Sequence, residues 1–359
     1  MKNNLSIDFR GTSFPVGTGH RPEQASGIDQ SGLPIFNQDW WLNIARGSSN
    51  YRELKVLQGD LVIGRLPLVL SKNRIGLVLG HDPHWSHLGG PIVDETLNRT
   101  EQAGVIHSLL EQLPRSVSFH FVCNPDLIYS DLVRSAFTKS GFDHTTQLTL
   151  LRLPSEGDIL NARKSKHKGH IKRAAKELDC IDISAKEFVR FFEANLKARG
   201  KTSYSPLGTL TCLIEEAISR RQARAIAAIP SSRIMPGDSC IPATYDAAIV
   251  YVWDSKRCYY WLSTPRIPSA NGSNAKPHPD ATKLLAVRAM EDAQAMNLVF
   301  DTDGVTTPGS EILYRTMLGL REEQYRDVFK RTTIWERLHQ KSRRQFRSMF
   351  AKSNDSTAF

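Results

Sequence analysis

The order of apolar patterning along this chain occurs twice, and that recurrence limits the folds open to it more than any other feature. YRELKVLQGDLVIGRLPLVLSK alternates as two paired strands around a QGD turn, and RIGLVLG reads as a further strand. HLGGPIV follows a polar bend. Residues 97–113 pattern as a helix, VSFHFVCNP as a buried strand, DLIYSDLVRSAFTKSG as a helix closed by its glycine, and HTTQLTLLRLP as an alternating strand. A second series starts at residue 158. DILNARKSKHKGHIKRAAKEL, SAKEFVRFFEANLKARG and LGTLTCLIEEAISRRQ read as helices; ARAIAAIP, TYDAAIVYVWD and RCYYWLSTP read as strands, with a Pro- and Ser-containing excursion after the first. A loop, a helix over residues 280–297 and the strand LVFDTDG complete it. The expected class is α/β (α+β), in two similar halves, each a mixed, mostly antiparallel sheet flanked by helices. The expected boundaries are an irregular leader over 1–35, a first half over 36–157, a basic connecting helix over 158–180, a second half with the active site over 181–330, and a basic C-terminal helix and tail over 331–359. FNQDWWLNIA opens the first half as a short helix with Trp40, Trp41 and Ile44 facing the core.

Length and charge narrow the function. With 359 residues the chain can bury two sizeable cores. No stretch approaches the roughly 18 apolar residues of a membrane span, and MKNNLSIDFRGTSF lacks the apolar run of a secretory signal, so a cytoplasmic location is expected. The five cysteines (Cys123, Cys180, Cys212, Cys240, Cys258) show no CxxC or His-paired metal spacing and read as free thiols. No metal site is expected. A net charge of +10 favours a polyanionic partner, whether nucleic acid, a phosphorylated donor such as coenzyme A, or an anionic membrane surface; the alternative is a solvated basic surface.

The segment from Tyr259 to Gly319 carries a resemblance. An aromatic pair, Tyr259-Tyr260, ends a strand; a polar loop spans residues 263–279; a helix over 284–296 leads to Asp301-Thr302-Asp303-Gly304 and then Pro308-Gly309. Together with the basic helix ARKSKHKGHIKRAAKE and with Leu88-Gly89-Gly90-Pro91, this arrangement resembles the FemAB-like branch of the GNAT (acyl-CoA N-acyltransferase) superfamily over most of residues 36–330. The resemblance implies two tandem GNAT-like halves and transfer of an acyl or aminoacyl group to an amine. It also implies an amine acceptor that is a cell-envelope precursor, a sugar amine or a small metabolite. The GNAT pyrophosphate fingerprint is absent, since the nearest candidate, Arg266-Ile267-Pro268-Ser269-Ala270-Asn271-Gly272, does not fit it.

Direct acyl transfer needs a group to take the proton of the amine, polarisation of the donor carbonyl, and alignment of the two reactants. No G-x-S-x-G elbow points to a covalent intermediate. Asp301 and Asp303 alternate at a strand end and share a face, with Gly304 permitting a sharp exit. Either one of them takes the amine's proton or anchors its ammonium, or they cap a turn and pair with arginine; Asp303 is preferred for the chemistry. Tyr259 and Tyr260 point to opposite faces, so one is core and the other, assigned here to Tyr260, reaches the cleft. Lys276 and His278, in the NGSNAKPHPD loop before a helix capped by Asp280, are placed to meet a phosphate at free backbone N–H groups, or else belong to a surface loop without a ligand. Ser263 and Arg266 flank that loop. Trp253 ends the preceding strand and either packs or contacts substrate, and Tyr204 in GKTSYSP resembles the aromatic that the family places before a helix.

Two basic segments remain. Arg163, Lys166, His170 and Arg173 share one side of the 161–177 helix, where they either hold RNA or donor phosphates or form a solvated face. KRTTIWERLHQKSRRQFRSMF reads as a basic helix able to dock on the protein, on tRNA or peripherally on an anionic membrane. The function expected is an N-acyltransferase using acyl-CoA or aminoacyl-tRNA as co-substrate, with no permanently bound cofactor. The alternative is a non-catalytic nucleic-acid-binding protein or a scaffold that keeps the transferase fold without its chemistry.

Overall fold

In the computed structural model, residues 27–47, 50–72, 76–161, 165–203, 205–233, 245–268 and 276–337 are described. The first alternating run forms the antiparallel pair β1 (Tyr51–Gln58) and β2 (Leu61–Lys72), turned through Gly59 at φ 62°. β3 (Val78–His81) extends the sheet antiparallel to β2, and the short β4 (Ile92–Val93) pairs with β2 off the main path. Helix α2 (Arg99–Glu111) follows α1 (Asp39–Arg46) in the chain and starts on a capping box between Asn98 and Glu101. It lies directly on β2: a Cβ at Gly64 would fall 2.2 Å from Val105 Cγ1. The crossover delivers β5 (Ser118–Val122) parallel to β3, after which α3 (Ser130–Lys139) leads to β6 (Asp143–Arg152).

The second series repeats that plan. After α4 (Ser165–Glu177), the strand β7 (Leu178–Asp182) forms a sheet edge; α5 (Ala185–Ala198) and α6 (Leu207–Ser219) precede the antiparallel strands β8 (Ala223–Pro230), β9 (Ala247–Trp253) and β10 (Arg257–Pro265). Helix α7 (Ala281–Ala295) then crosses to β11 (Val299–Asp301), parallel to β10. The turn of α8 (Pro308–Glu311) and a π-helical turn over Ile312–Met317 lead to β12 (Glu322–Arg331).

One mixed sheet runs β1-β2-β3-β5-β12-β6-β11-β10-β9-β8-β7. Its centre is reciprocal. β6, which ends the first series, pairs with β11 of the second; β12, which ends the second, pairs with β5 of the first, and β6 and β12 pair with each other. Packing follows the exchange: Leu150 of β6 is fully buried in the core beneath α7, and Phe329 of β12 is fully buried among Phe119, Phe121 and Phe137, with its ring 4.3 Å from that of Phe137. On the second series two further layers close the sheet, α4 and α7 on the face of Tyr251 and Tyr260, α5 and α6 on the face of Val250 and Tyr259. Strands covered on both faces read as near-continuous apolar runs, as ARAIAAIP and AAIVYVW do.

Four details depart from the sequence-based expectation. Leu178, assigned to the end of the basic helix, starts β7, where it pairs with Pro230. Lys330 and Arg331, assigned to the C-terminal helix, end β12 in register with His120 and Phe119; helix is seen from 334 to 337, and the remainder of that segment lies outside the described residues. EEQYRDVFKR is too charged to announce itself as a central strand, and it becomes one because its two neighbours supply the ladder partners. Residues 27–35, assigned to the leader, pack inward: Gly27 donates to the Val62 carbonyl and Ile35 is fully buried. The basic helix begins at Ser165, with residues 162–164 outside the described set. Among the described residues no helix is long and apolar enough to cross a membrane.

Candidate functional site

The parallel pair β3 and β5 holds register only to His81↔His120 and then opens. The opening is kept by Asp82, whose Oδ2 accepts the Val122 N–H at 3.0 Å while the Gly90 N–H also lies against the carboxyl group. Gly89 and Gly90 are required there: a Cβ on Gly89 would fall 1.8 Å from Asp82 Oδ1, and Gly90 has φ 86° beside Cys123. Into the opening folds HDPHWSHLGG, a loop with histidines at 81, 84 and 87. Trp85 takes a left-handed conformation (φ 65°) and is fixed from both ends, its indole N–H donating to the Pro206 carbonyl at 2.9 Å and its carbonyl accepting the Trp261 indole at 3.0 Å.

The result is a cleft of about 290 Å³ walled by residues 81–87, His120 and Val122 of the first series, Gln147 of β6, and Ser205, Asp303 and Thr306 of the second. His81 Nδ1 donates to the Asp82 carbonyl at 2.7 Å, and His84 Nδ1 lies 2.8 Å from Ser205 Oγ. Burial pushes the His81, His84 and His120 imidazoles below their ordinary range; His81 adds to this at His84, and Lys330 and His81 add to it at His120. All three are therefore neutral at pH 7. Asp82 is pushed up to about 7 by burial, against the pull of its two backbone donors. Among the described residues no group of three His, Cys, Asp or Glu side chains is placed to hold a metal ion.

His87 differs from the other three. Its Nδ1 bonds Asp303 Oδ2, and its ring stacks on Phe36 at 5.7 Å with the edge of Trp261 alongside. A carboxylate only accepts, so Nδ1 carries the proton and Nε2 keeps a lone pair. Asp303 is itself held in a left-handed conformation (φ 61°) by the Asp301 carboxylate on its N–H at 2.8 Å and by Arg326 Nη1 on its Oδ1 at 2.8 Å. Behind it a buried network continues: Arg326 ion-pairs with Asp301 at 2.9 Å, Arg257 reaches Asp301 at 2.8 Å, and Arg257 is clasped by Asp126 at 2.6 and 2.7 Å. Burial alone would raise the Asp301 carboxyl, but Arg326 and Arg257 outweigh it and hold the group below the usual carboxylate range. Three carboxylates face two guanidiniums, so the network carries one negative charge in excess next to His87.

The residues singled out in the sequence fall into three places. Asp303 is in the cleft, and Asp301 lies directly behind it, fully buried and with no face on the cleft. Tyr260 is on the opposite face of β10, packed against Phe300 and Tyr314, where burial pushes its phenol up to about 12. The strand alternation that separates it from Tyr259 sends Tyr259 to the cleft side, where it touches Phe36 and donates to Asp254 at 3.0 Å. Arg173, Lys276 and His278 gather with Ser263 and Arg266 at the C-terminal end of β10 and the start of α7, on the α4 side. Arg173 lies 3.7 Å from Asp280, His278 bonds Glu177 at 3.1 Å, Lys276 and Ser263 are exposed, and Arg266 is buried in a pair with Asp246 at 2.8 Å. Asp280 precedes α7 without a side-chain capping bond and instead pairs with Lys283. Trp253 is remote from both groups: it pairs with Cys258 at the far end of β10, roughly 16 Å from Ser263 at ~3.3 Å per residue. Tyr204 and Arg163 lie outside the described residues.

His87, Asp82 and Arg326 were missed. The three-residue spacing of His81, His84 and His87 in HDPHWSHLGG was the available signal, and it reads as an ordinary polar bend until β11 is brought beside it.

No protein-family model matches the chain, and no curated protein sequence matches it. Among solved structures, the chain is similar to FemX, with a TM-score of 0.54 and 10% identity over 82% of this chain and 91% of that one. It is also similar to the C-terminal domain (DUF2156) of a putative lysylphosphatidylglycerol synthetase from Agrobacterium fabrum, with a TM-score of 0.52 and 12% identity over 85% of this chain and 91% of that one. At such identities the likeness speaks for the backbone arrangement alone: the chain has the fold seen in FemX and in that synthetase domain.

Proposed function

We propose that this protein transfers an acyl or aminoacyl group directly to an amine bound in the histidine cleft, with His87 as the group that takes the proton. The observation that carries the reading is the Asp303-bonded imidazole opening on a cleft between the two series. The amine nitrogen attacks the donor carbonyl, and its N–H proton passes to His87 Nε2 as the new C–N bond forms. Asp303 on Nδ1 stabilises the imidazolium. The tetrahedral oxyanion then collapses, the bond to the leaving group breaks, and the imidazolium returns its proton to the departing thiolate of coenzyme A or alkoxide of tRNA. Atoms and charge balance without a covalent enzyme intermediate.

The donor's anionic part is assigned to the basic group at the start of α7, where Arg173, His170 and Lys283 pair with one buried carboxylate, Asp280, His278 accepts the Asp280 N–H, and Lys276 is exposed two residues before His278. Acyl-CoA and aminoacyl-tRNA both fit that charge. Support for acyl transfer in general comes from the dyad and from the fold shared with FemX.

The test is product formation by mass spectrometry from a panel of acyl-CoA and aminoacyl-tRNA donors with simple primary amines, using wild type and His87→Ala. Transfer by the wild type that falls about 10²–10⁴-fold in the variant supports the reading. Transfer unchanged in His87→Ala rejects the assigned base. Salt-labile retention of all RNA with no transfer from any donor would identify a nucleic-acid-binding protein instead.

A further inference from the structure

We infer that the cleft takes an acceptor with two basic nitrogens, one delivered to His87 and the other held by Asp82, and that it turns away amines carrying phosphate or carboxylate. The inference rests on the amine-transfer reading and specifies its substrate class. Among the described residues that wall the cleft there is no lysine or arginine, although the protein as a whole carries +10. There are two carboxylates, Asp82 and Asp303, and they differ in what already satisfies them. Asp303 is taken up by His87 and Arg326. Asp82 is only 8% exposed and the Val122 and Gly90 N–H groups lie against its carboxyl group, yet its Oδ1 makes no hydrogen bond of good geometry and no cation faces it within the cleft.

The surroundings keep Asp82 in that state. Val122 holds Oδ2, and the absence of a side chain at Gly89 leaves Oδ1 its space. His81, its neighbour in the chain, donates Nδ1–H to the Asp82 carbonyl and not to the carboxyl group. Lys330 stands in register with His120 and is exposed, and the Arg326 guanidinium is neutralised between Asp301 and Asp303. A buried carboxyl oxygen without a donor is unfavourable by itself and is satisfied when a ligand N–H reaches it. An ammonium supplies both the donor and the compensating charge. A phosphate there would meet two carboxylates across a poorly solvated gap with no cation to offset them.

The test is isothermal titration of the full chain, without donor, at pH 8, with matched probes: the α,ω-diaminoalkanes of four to six carbons, the corresponding amino alcohols, and the corresponding aminoalkyl phosphates. The expected order is diamine, amino alcohol, aminoalkyl phosphate, with at least tenfold between first and last. Asp82→Asn, which preserves shape and the Val122 contact, should bring the diamine within threefold of the amino alcohol while the circular dichroism spectrum is unchanged. A diamine that binds no better than its amino alcohol, an aminoalkyl phosphate that binds as tightly, or an order unaltered by Asp82→Asn overturns the inference. Should the Asp82-dependent preference hold while no donor yields product, the recognition stands and the acyl-transfer reading is the one that fails.

Discussion

The two arms of the sheet share a plan and divide the labour. In each, antiparallel strands are followed by a helical crossover to a parallel strand, and in each the parallel pair opens at its C-terminal end. In the β1–β5 arm the pair ends at His81↔His120, and the opening is filled by a polar loop braced on one buried carboxyl group. In the β7–β11 arm it ends at Tyr259↔Asp301, beside two buried arginines. The first arm presents imidazoles; the second, sandwiched between helices on both faces, holds the charge. A dyad built across such a boundary gains from the rigidity of the covered arm, because Asp303 sits in a left-handed conformation that only surrounding bonds maintain.

That division can be broken most directly at the dyad. Asp303→Asn keeps the size of the side chain but not its charge, and it should lower kcat by about 10²–10⁴-fold, close to the loss in His87→Ala. The double variant should be little worse than either single one, because the two residues act as a unit. Additive losses, read from steady-state rates of all four proteins, would mean that the arms contribute separately.

The next largest effect belongs to the charge store. Arg326→Leu leaves Asp301 and Asp303 facing each other without their shared cation, and should destabilise the fold by about 3–5 kcal/mol in urea melts. A loss under 1 kcal/mol would show that Arg257 alone neutralises the site.

Strand exchange predicts that the arms do not melt apart. Leu150→Ala, on β6, and Phe329→Ala, on β12, should each cost about 2–5 kcal/mol and still give one transition, coincident by tryptophan fluorescence and far-ultraviolet circular dichroism. Two separated transitions would sever the comparison, making the arms independent units.

Asp82 provides a pH-dependent effect of similar size. Its folded-state value of about 7 lies above the ordinary carboxyl value of 3.8. Between these values the unfolded chain releases the proton while the folded chain retains it, so stability from this group falls as pH rises through that window and stays low above it. Asp82→Asn removes this component. Relative to wild type it should gain on the order of 4 kcal/mol between pH 4 and pH 8, in denaturant melts at the two pH values. A constant difference across that range would place an ordinary carboxyl group in the cleft. Smallest of all, Tyr260→Phe should change the rate less than about threefold, since its hydroxyl lies on the other face of the sheet.

The strands β1, β2, β8, β9 and β10 and the helices α2, α5, α6 and α7 were legible because each carries its own period of burial or its own cap, as Asn98 with Glu101 does at α2. β7 and β12 were not. LDCID is a short edge strand, and EEQYRDVFKR alternates too weakly for a strand that ends up central. Asp303 stood out because it alternates with Asp301 beside Gly304. Tyr260 was the wrong one of an adjacent pair to aim at the cleft, because alternation fixes that two tyrosines diverge and not which of them meets Phe36.

The sequence by itself determined the α/β class and the carboxylate pair at the end of β11, both of which depend on neighbours within about ten residues. Only the tertiary structure decided that His87 meets Asp303, 216 positions away, that Arg326 lies behind both aspartates, and that the last strand of each series completes the other's sheet. The reason is physical: local periodicity records which face of an element is buried. The partner that buries it is chosen by ladder pairing and by the cost of leaving a charge unmatched, and neither leaves a local trace in the chain.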